Sequence, residues 1–199
     1  MMHYLFRSGN PELAPVLLLH STGGNETELI QLADMIASEH PIIAIRGRVS
    51  EQGYNRYFER YAEGNFNLNS LEKESDWLVK EIKKLSNQFN LDIFKMIVIG
   101  YSNGANIALH ISLAKNIKFA KIIALHAMHL TSVPVTSEKL KDTKIFVSYG
   151  ENDPIVPKLS FDSLIENLKS AGANLEIHTQ PGSHQLTRSE INAAQQWLK

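Results

Sequence analysis

Short runs of valine, isoleucine and leucine recur along this chain, separated by amphipathic segments. Val16–Leu19, Ile42–Ile45, Met96–Ile99 and Lys121–Leu125 are the clearest, and Tyr4–Phe6, Lys144–Ser148 and Leu175–Thr179 extend the series. A run without polar alternation is apolar on both sides of a strand, which suits a parallel strand covered by helices on both faces. Parallel neighbours need long crossovers, and the segments between the runs can supply them as helices. Leu29, Leu32, Ala33 and Ile36 share one helical face, as do Leu71, Leu78, Ile82, Leu85 and Phe89. Asn25 with Glu28, and Asn69 with Glu72, read as helix-opening pairs. Thr187-Arg188-Ser189-Glu190 reads as a capping box for a last helix carrying Ile191, Ala194 and Leu198. The pattern predicts a three-layer α/β fold, a mostly parallel sheet flanked by helices, in one domain over residues 1–199.

Composition removes several classes of function. Twenty basic and 21 acidic residues nearly cancel, so no electrostatic footprint for nucleic acid is present. No cysteine occurs, which excludes a thiolate nucleophile, disulfides and cysteine-ligated metal. No apolar run approaches the length of a membrane span. The N-terminus lacks the apolar core of a signal peptide, and a cytoplasmic location is the expectation.

Gly100-Tyr101-Ser102-Asn103-Gly104 follows the run Met96–Ile99 and precedes a helix-like stretch from Ala105 to His110. A serine at the apex of so sharp a strand-to-helix turn is pushed out of the backbone line, and glycines two positions either side relieve the crowding. A serine hydroxyl is a weak nucleophile at neutral pH and needs a base, itself oriented by an acid. On an α/β sheet the expected chain order is serine, acid, histidine. Asp153, in the loop Gly150-Glu151-Asn152-Asp153-Pro154 after a strand, is the candidate acid, with Glu151 as competitor. His184, in Pro181-Gly182-Ser183-His184 after the last strand, is the candidate base. His20 ends an early strand and suits a structural hydrogen bond, whereas His126 and His129 follow a strand and could line the site. No third ligand accompanies that pair, so no metal is assigned. Acyl transfer also needs donors for the developing oxyanion. The N–H of Asn103 is one, and the glycine-bearing loop His20-Ser21-Thr22-Gly23-Gly24 offers that of Thr22.

Residues 46–68 break the alternation with Tyr54, Tyr57, Phe58, Tyr61 and Phe66 set among Arg46, Arg48, Arg56 and Arg60. Starting from a strand end, the segment reads either as a surface loop pinned by its own aromatics or as a flap over Ser102. In the second reading Arg48, Arg56, Tyr57 and Phe58 contact substrate, and Arg48 or Arg56 pairs a substrate carboxylate.

Taken together, the loop at 20–24, the elbow at 100–104, Asp153-Pro154-Ile155-Val156-Pro157 and Gly182-Ser183-His184-Gln185-Leu186 resemble the α/β-hydrolase superfamily. They are most similar to its phospholipase/carboxylesterase family of small, lidless esterases. Arg46-Gly47-Arg48 followed by Tyr54-Asn55-Arg56-Tyr57-Phe58 looks like a sub-branch with some members associated with hydroquinone or aromatic-compound stress. Ser21 stands where the family commonly has glycine, a departure that bears on the oxyanion turn. The resemblance implies a serine hydrolase of carboxylic esters or thioesters, with a small-molecule ester as partner and no cofactor, and a homodimer is compatible with it. A binding protein on a hydrolase fold and a small serine peptidase are the alternatives.

Overall fold

The computed structural model describes residues 2–134 and 136–199. Seven strands form the main sheet: β1 (Tyr4–Arg7), β2 (Val16–Leu19), β3 (Ile42–Ile45), β8 (Ile97–Tyr101), β9 (Lys121–Leu125), β10 (Lys144–Gly150) and β11 (Asn174–Gln180). Four short strands, β4 (Val49–Glu51), β5 (Tyr54–Arg56), β6 (Arg60–Ala62) and β7 (Asn65–Phe66), make two hairpins within the 46–68 segment. The main sheet runs β1-β3-β2-β8-β9-β10-β11, with β1 antiparallel to β3 and every other pairing parallel.

Five helices cover the sheet: α1 (Ile30–Ile36), α2 (Leu68–Gln88), α3 (Asn103–Ala114), α4 (Lys158–Ser170) and α5 (Arg188–Leu198). The apolar runs divide by alternate residues. Leu17, Leu19, Ile43, Ile45 and Val98 pack with α2, α3 and α4, while Val16, Leu18, Ile42, Ala44 and Ile99 pack with α1 and α5. The strands are therefore apolar on both faces because both faces are covered. In α3 every residue from Asn103 to Leu113 is buried, which explains why this helix is apolar nearly all round. No helix among the described residues is long and apolar enough to cross a membrane.

Two of the three expected helix openings lie elsewhere. Asn25 Oδ1 accepts from Thr27 N–H at 2.8 Å, a local turn, and Glu28 is drawn off to Ser21. Helix α1 consequently starts only at Ile30, without a side-chain cap. Helix α2 is capped by Asn67, whose Oδ1 accepts from Ser70 N–H at 3.1 Å, rather than by Asn69 with Glu72. Asn67 is held there because its own N–H donates to Glu59 O at 3.0 Å, and Glu72 pairs with Lys115 and His110. The capping box of Thr187 and Glu190 opens α5 with both of its reciprocal bonds.

Candidate active site

The loops after β2, β3, β8, β9, β10 and β11 all leave the carboxyl edge of the parallel strands, where α/β sheets bind ligands. At its centre Ser102 joins β8 to α3 with φ 51° and ψ −112°, a conformation costly for a residue with a side chain. The turn is held there by close packing. A Cβ on Gly104 would lie 2.0 Å from Leu19 O, and one on Gly100 would lie 2.7 Å from Ala105 N. Ser102 N–H donates to Leu125 O at 2.8 Å, tying the turn to β9.

Ser102, His184 and Asp153 form one chain of hydrogen bonds. Ser102 Oγ donates to His184 Nε2 at 2.9 Å, and His184 Nδ1–H donates to Asp153 Oδ2 at 2.7 Å. This polarity follows from the partners, since a carboxylate can only accept. Asp153 Oδ1 accepts from the N–H groups of Ile155 and Val156, at 2.8 and 3.0 Å. Burial pushes the Asp153 carboxyl upward, but its bonds from His126, His184 and these two N–H groups prevail and hold it below its usual value. Glu151, its competitor in the sequence, is exposed, and among the described residues no hydrogen bond joins it to His184.

Behind Asp153 lies a group that sequence reasoning placed only loosely. His126, with φ 53°, is buried, and its Nδ1 lies 3.0 Å from Asp153 Oδ2. Its Nε2 is 3.2 Å from Glu190 Oε2 and 3.4 Å from Oε1, the better aligned of the two. Both ring nitrogens thus face carboxylates, which requires a proton on each. Burial lowers the imidazole's pKa, yet Glu190 and Asp153 outweigh burial and raise it, and Glu190 in turn is held low despite its own burial. Tyr101 was also missed: its hydroxyl donates to His184 O at 2.6 Å and its ring stacks on the imidazole. Burial, then the charge of Glu190, pushes that phenol up to about 12, so it remains a donor. His126, Asp153 and His184 could be taken for a metal cluster. Their ring-to-carboxylate spacings of 2.7 and 3.0 Å are those of hydrogen bonds, shorter than the roughly 3.3 Å between ligand atoms around a tetrahedral ion.

The loop at 20–24 is braced from several sides. His20 Nδ1–H donates to Ser21 O at 2.6 Å and Nε2 accepts from Gly47 N–H at 2.9 Å, a structural role in which burial keeps the ring neutral. Ser21 donates to Glu28 through both N–H and Oγ, at 2.7 and 2.6 Å, so the residue that departs from glycine tightens this turn. Gly23 N–H donates to Asn55 O at 2.8 Å, and Asn55 Nδ2 to Gly24 O at 2.7 Å. The N–H groups of Thr22 and Asn103 donate to no acceptor among the described residues.

A cleft of about 330 Å³ opens over Ser102, with Thr22, Asn103, Arg56, Phe66 and His184 in its wall. Of the residues in 46–68 expected to contact substrate, only Arg56 lines it. Arg48 is turned away by Glu74, which it meets at 2.6 Å, and its guanidinium lies over Trp77. Tyr57 and Phe58 are fully buried: Tyr57 OH donates to Ile45 O at 2.6 Å and accepts from His20 N–H, while Phe58 packs edge-on against Phe66. Those two rings fill core beneath the cleft, and the wall itself is formed by Arg60, Glu63, Gly64 and Phe66 of the second hairpin.

Comparison with known proteins agrees with this arrangement of the fold. The structure of YahD with malic acid is 48% identical, spans 100% of this chain and 98% of its own, and superposes with a TM-score of 0.94. The carboxylesterase of Bacillus cereus is 32% identical over 99% of this chain and 93% of its own, also with a TM-score of 0.94. A Bacillus subtilis (strain 168) protein named "Putative hydrolase MhqD" is 31% identical over 100% of this chain and 98% of its own length. The family model described as Phospholipase/Carboxylesterase matches residues 61–199. The chain belongs to the phospholipase/carboxylesterase family.

Proposed function

We propose that this chain is a serine hydrolase of small carboxylic esters, thioesters included, acting through an acyl-enzyme. The observation that carries the reading is the continuous chain Ser102 Oγ–His184–Asp153 beneath an open cleft. Asp153 fixes the imidazole with its proton on Nδ1, leaving Nε2 to accept the serine proton. As Ser102 Oγ bonds to the ester carbonyl carbon, that proton passes to His184 Nε2. The carbonyl oxygen takes the negative charge and meets the unpaired N–H groups of Thr22 and Asn103. Collapse breaks the bond to the alcohol oxygen, which leaves with the proton from Nε2. Water then repeats the sequence: it gives a proton to Nε2, bonds to the acyl carbon, and displaces Ser102, which recovers the proton. One ester and one water become one acid and one alcohol, and no step calls on a cofactor.

A cleft of about 330 Å³ suits a compact substrate. YahD was solved with malic acid, and a molecule of that size is in keeping with the cleft here. Ser102→Ala is expected to keep the fold and lose roughly 10⁶-fold in kcat on 4-nitrophenyl acetate. Turnover near that of the wild type in this variant would remove Ser102 from the mechanism.

A further inference from the structure

Arg56 is a cation buried in the cleft wall, where Arg60 and Glu63 are the neighbouring charges. Its side chain is only 3% exposed, yet it lines the wall beside Thr22 and Asn103. Nε donates to Phe58 O at 3.1 Å and lies 3.4 Å from Glu51 Oε2, and Nη1 donates to Thr22 Oγ1 at 2.8 Å. Nη2 has no acceptor among the described residues. Glu51 is shared, because Arg60 Nε contacts both of its oxygens, at 3.0 and 3.2 Å. Burial, reinforced by Arg60, brings the Arg56 guanidinium down to about 10, although Glu51 and Glu63 pull the other way.

Asn103 supplies a second, independent sign. Its Oδ1 accepts from Tyr57 N–H at 2.7 Å, which fixes the orientation of the amide. Nδ2 is then a buried donor with no partner, in a residue that lines the same cleft. Buried donors are rarely left unmade, and among the described residues Asn103 is the one with such an orphaned atom that also lines the cleft. Both spare donors belong to the oxyanion neighbourhood. Arg56 is one hydrogen bond from Thr22, and Asn103 follows Ser102 in the chain. An anion held by them would sit on the acyl side, a few atoms from the carbonyl under attack.

We infer that the cleft selects half-esters of short dicarboxylic acids, whose free carboxylate pairs with Arg56 and accepts from Asn103 Nδ2 while the esterified carboxyl reaches Ser102. This rests on the hydrolase reading above and adds its substrate class. The bonds made and broken are those already described, and the products are the dicarboxylate and an alcohol. A guanidinium that merely pins Thr22 would serve all esters alike, and the two roles separate experimentally.

The test is kcat/KM on monomethyl succinate and methyl butyrate, which match in length and differ in the terminal carboxylate. The wild type is expected to prefer monomethyl succinate by about tenfold or more. Arg56→Gln should reduce that preference by about 10- to 150-fold, the span of one charge-assisted hydrogen bond. Arg56→Lys should recover only part of it, since a lysine offers no fork. Arg48→Gln, altered outside the cleft, should leave the preference as it is. A measurement on the unaltered protein guards against a misfolded variant: succinate should inhibit methyl butyrate hydrolysis competitively at concentrations well below those needed of succinamide, its uncharged diamide. No preference in the wild type, equal losses on both esters in Arg56→Gln, or equal inhibition by succinate and its diamide would overturn the inference. Failure of the hydrolase reading looks different, because then neither ester is consumed.

Discussion

Asp153 Oδ2 serves two rings at once, accepting from His184 and His126 at 2.7 and 3.0 Å. On the proposed mechanism Asp153→Asn is nearly isosteric but favours the wrong histidine tautomer, and kcat should fall about 10⁴-fold. Glu151→Gln, on an exposed neighbour, should change it by less than about threefold, and a reversal of the two would transfer the acid role to Glu151. His126 makes a separate statement about stability. Its pKa is raised on folding, so its contribution is complete below the unfolded value of about 6.5 and is lost as pH rises through the raised one. Asp153 and Glu190 are depressed, so theirs is present above roughly pH 4 and lost as pH falls through the lowered values. His126→Gln should therefore cost about 3–5 kcal/mol near pH 6 and flatten the alkaline decline in Tm. A variant curve parallel to that of the wild type would mean that His126 is neutral in the fold. Nothing local to His126 foretold this arrangement. The sequence places it after a strand, but its partner Glu190 lies on α5, where the capping box had already assigned that glutamate another task.

The elements carrying the site differ in how openly the sequence declares them. β2, β3 and β9 have the bounds that their apolar runs predict, because strands covered on both faces are apolar along nearly their whole length. The elbow was equally plain, since its two glycines answer a steric demand that the backbone itself imposes. Gly104→Ala would drive a methyl group to 2.0 Å from Leu19 O and force α3 away from β2. The expected cost is about 3 kcal/mol or more in urea unfolding, with the serine displaced as well. Unchanged unfolding would mean that the close approach of α3 to β2 is not a constraint. The 46–68 segment was the opposite case. Aromatics interleaved with arginines do not say which side chains turn inward, and the two hairpins came from no strong turn signal. Their contribution became visible only with β5 in place, where Asn55 clasps the glycine loop and Arg56 reaches Thr22. Arg48 was unreadable for a related reason, because its partner Glu74 belongs to the far side of a helix boundary that was itself misplaced by two residues.

Across the whole molecule, the candidate site collects at one edge. Six loops separated by up to 164 residues in sequence, from His20 to His184, converge because parallel strands all end on the same side. The topology could be reasoned from periodicity, and the order of serine, acid and histidine along it from the chemistry of acyl transfer. The identity of the substrate could not, because it depends on which donors are left without partners after packing, and that is a property of the assembled cleft. Everything proposed here turns on Ser102 being a nucleophile activated by its neighbours. A fluorophosphonate probe followed by peptide mass spectrometry reads this without any assumption about substrate. Stoichiometric labelling of the wild type at Ser102, slowed by orders of magnitude in Asp153→Asn, is the predicted result. Labelling at another serine, or none at all in folded protein, would contradict it.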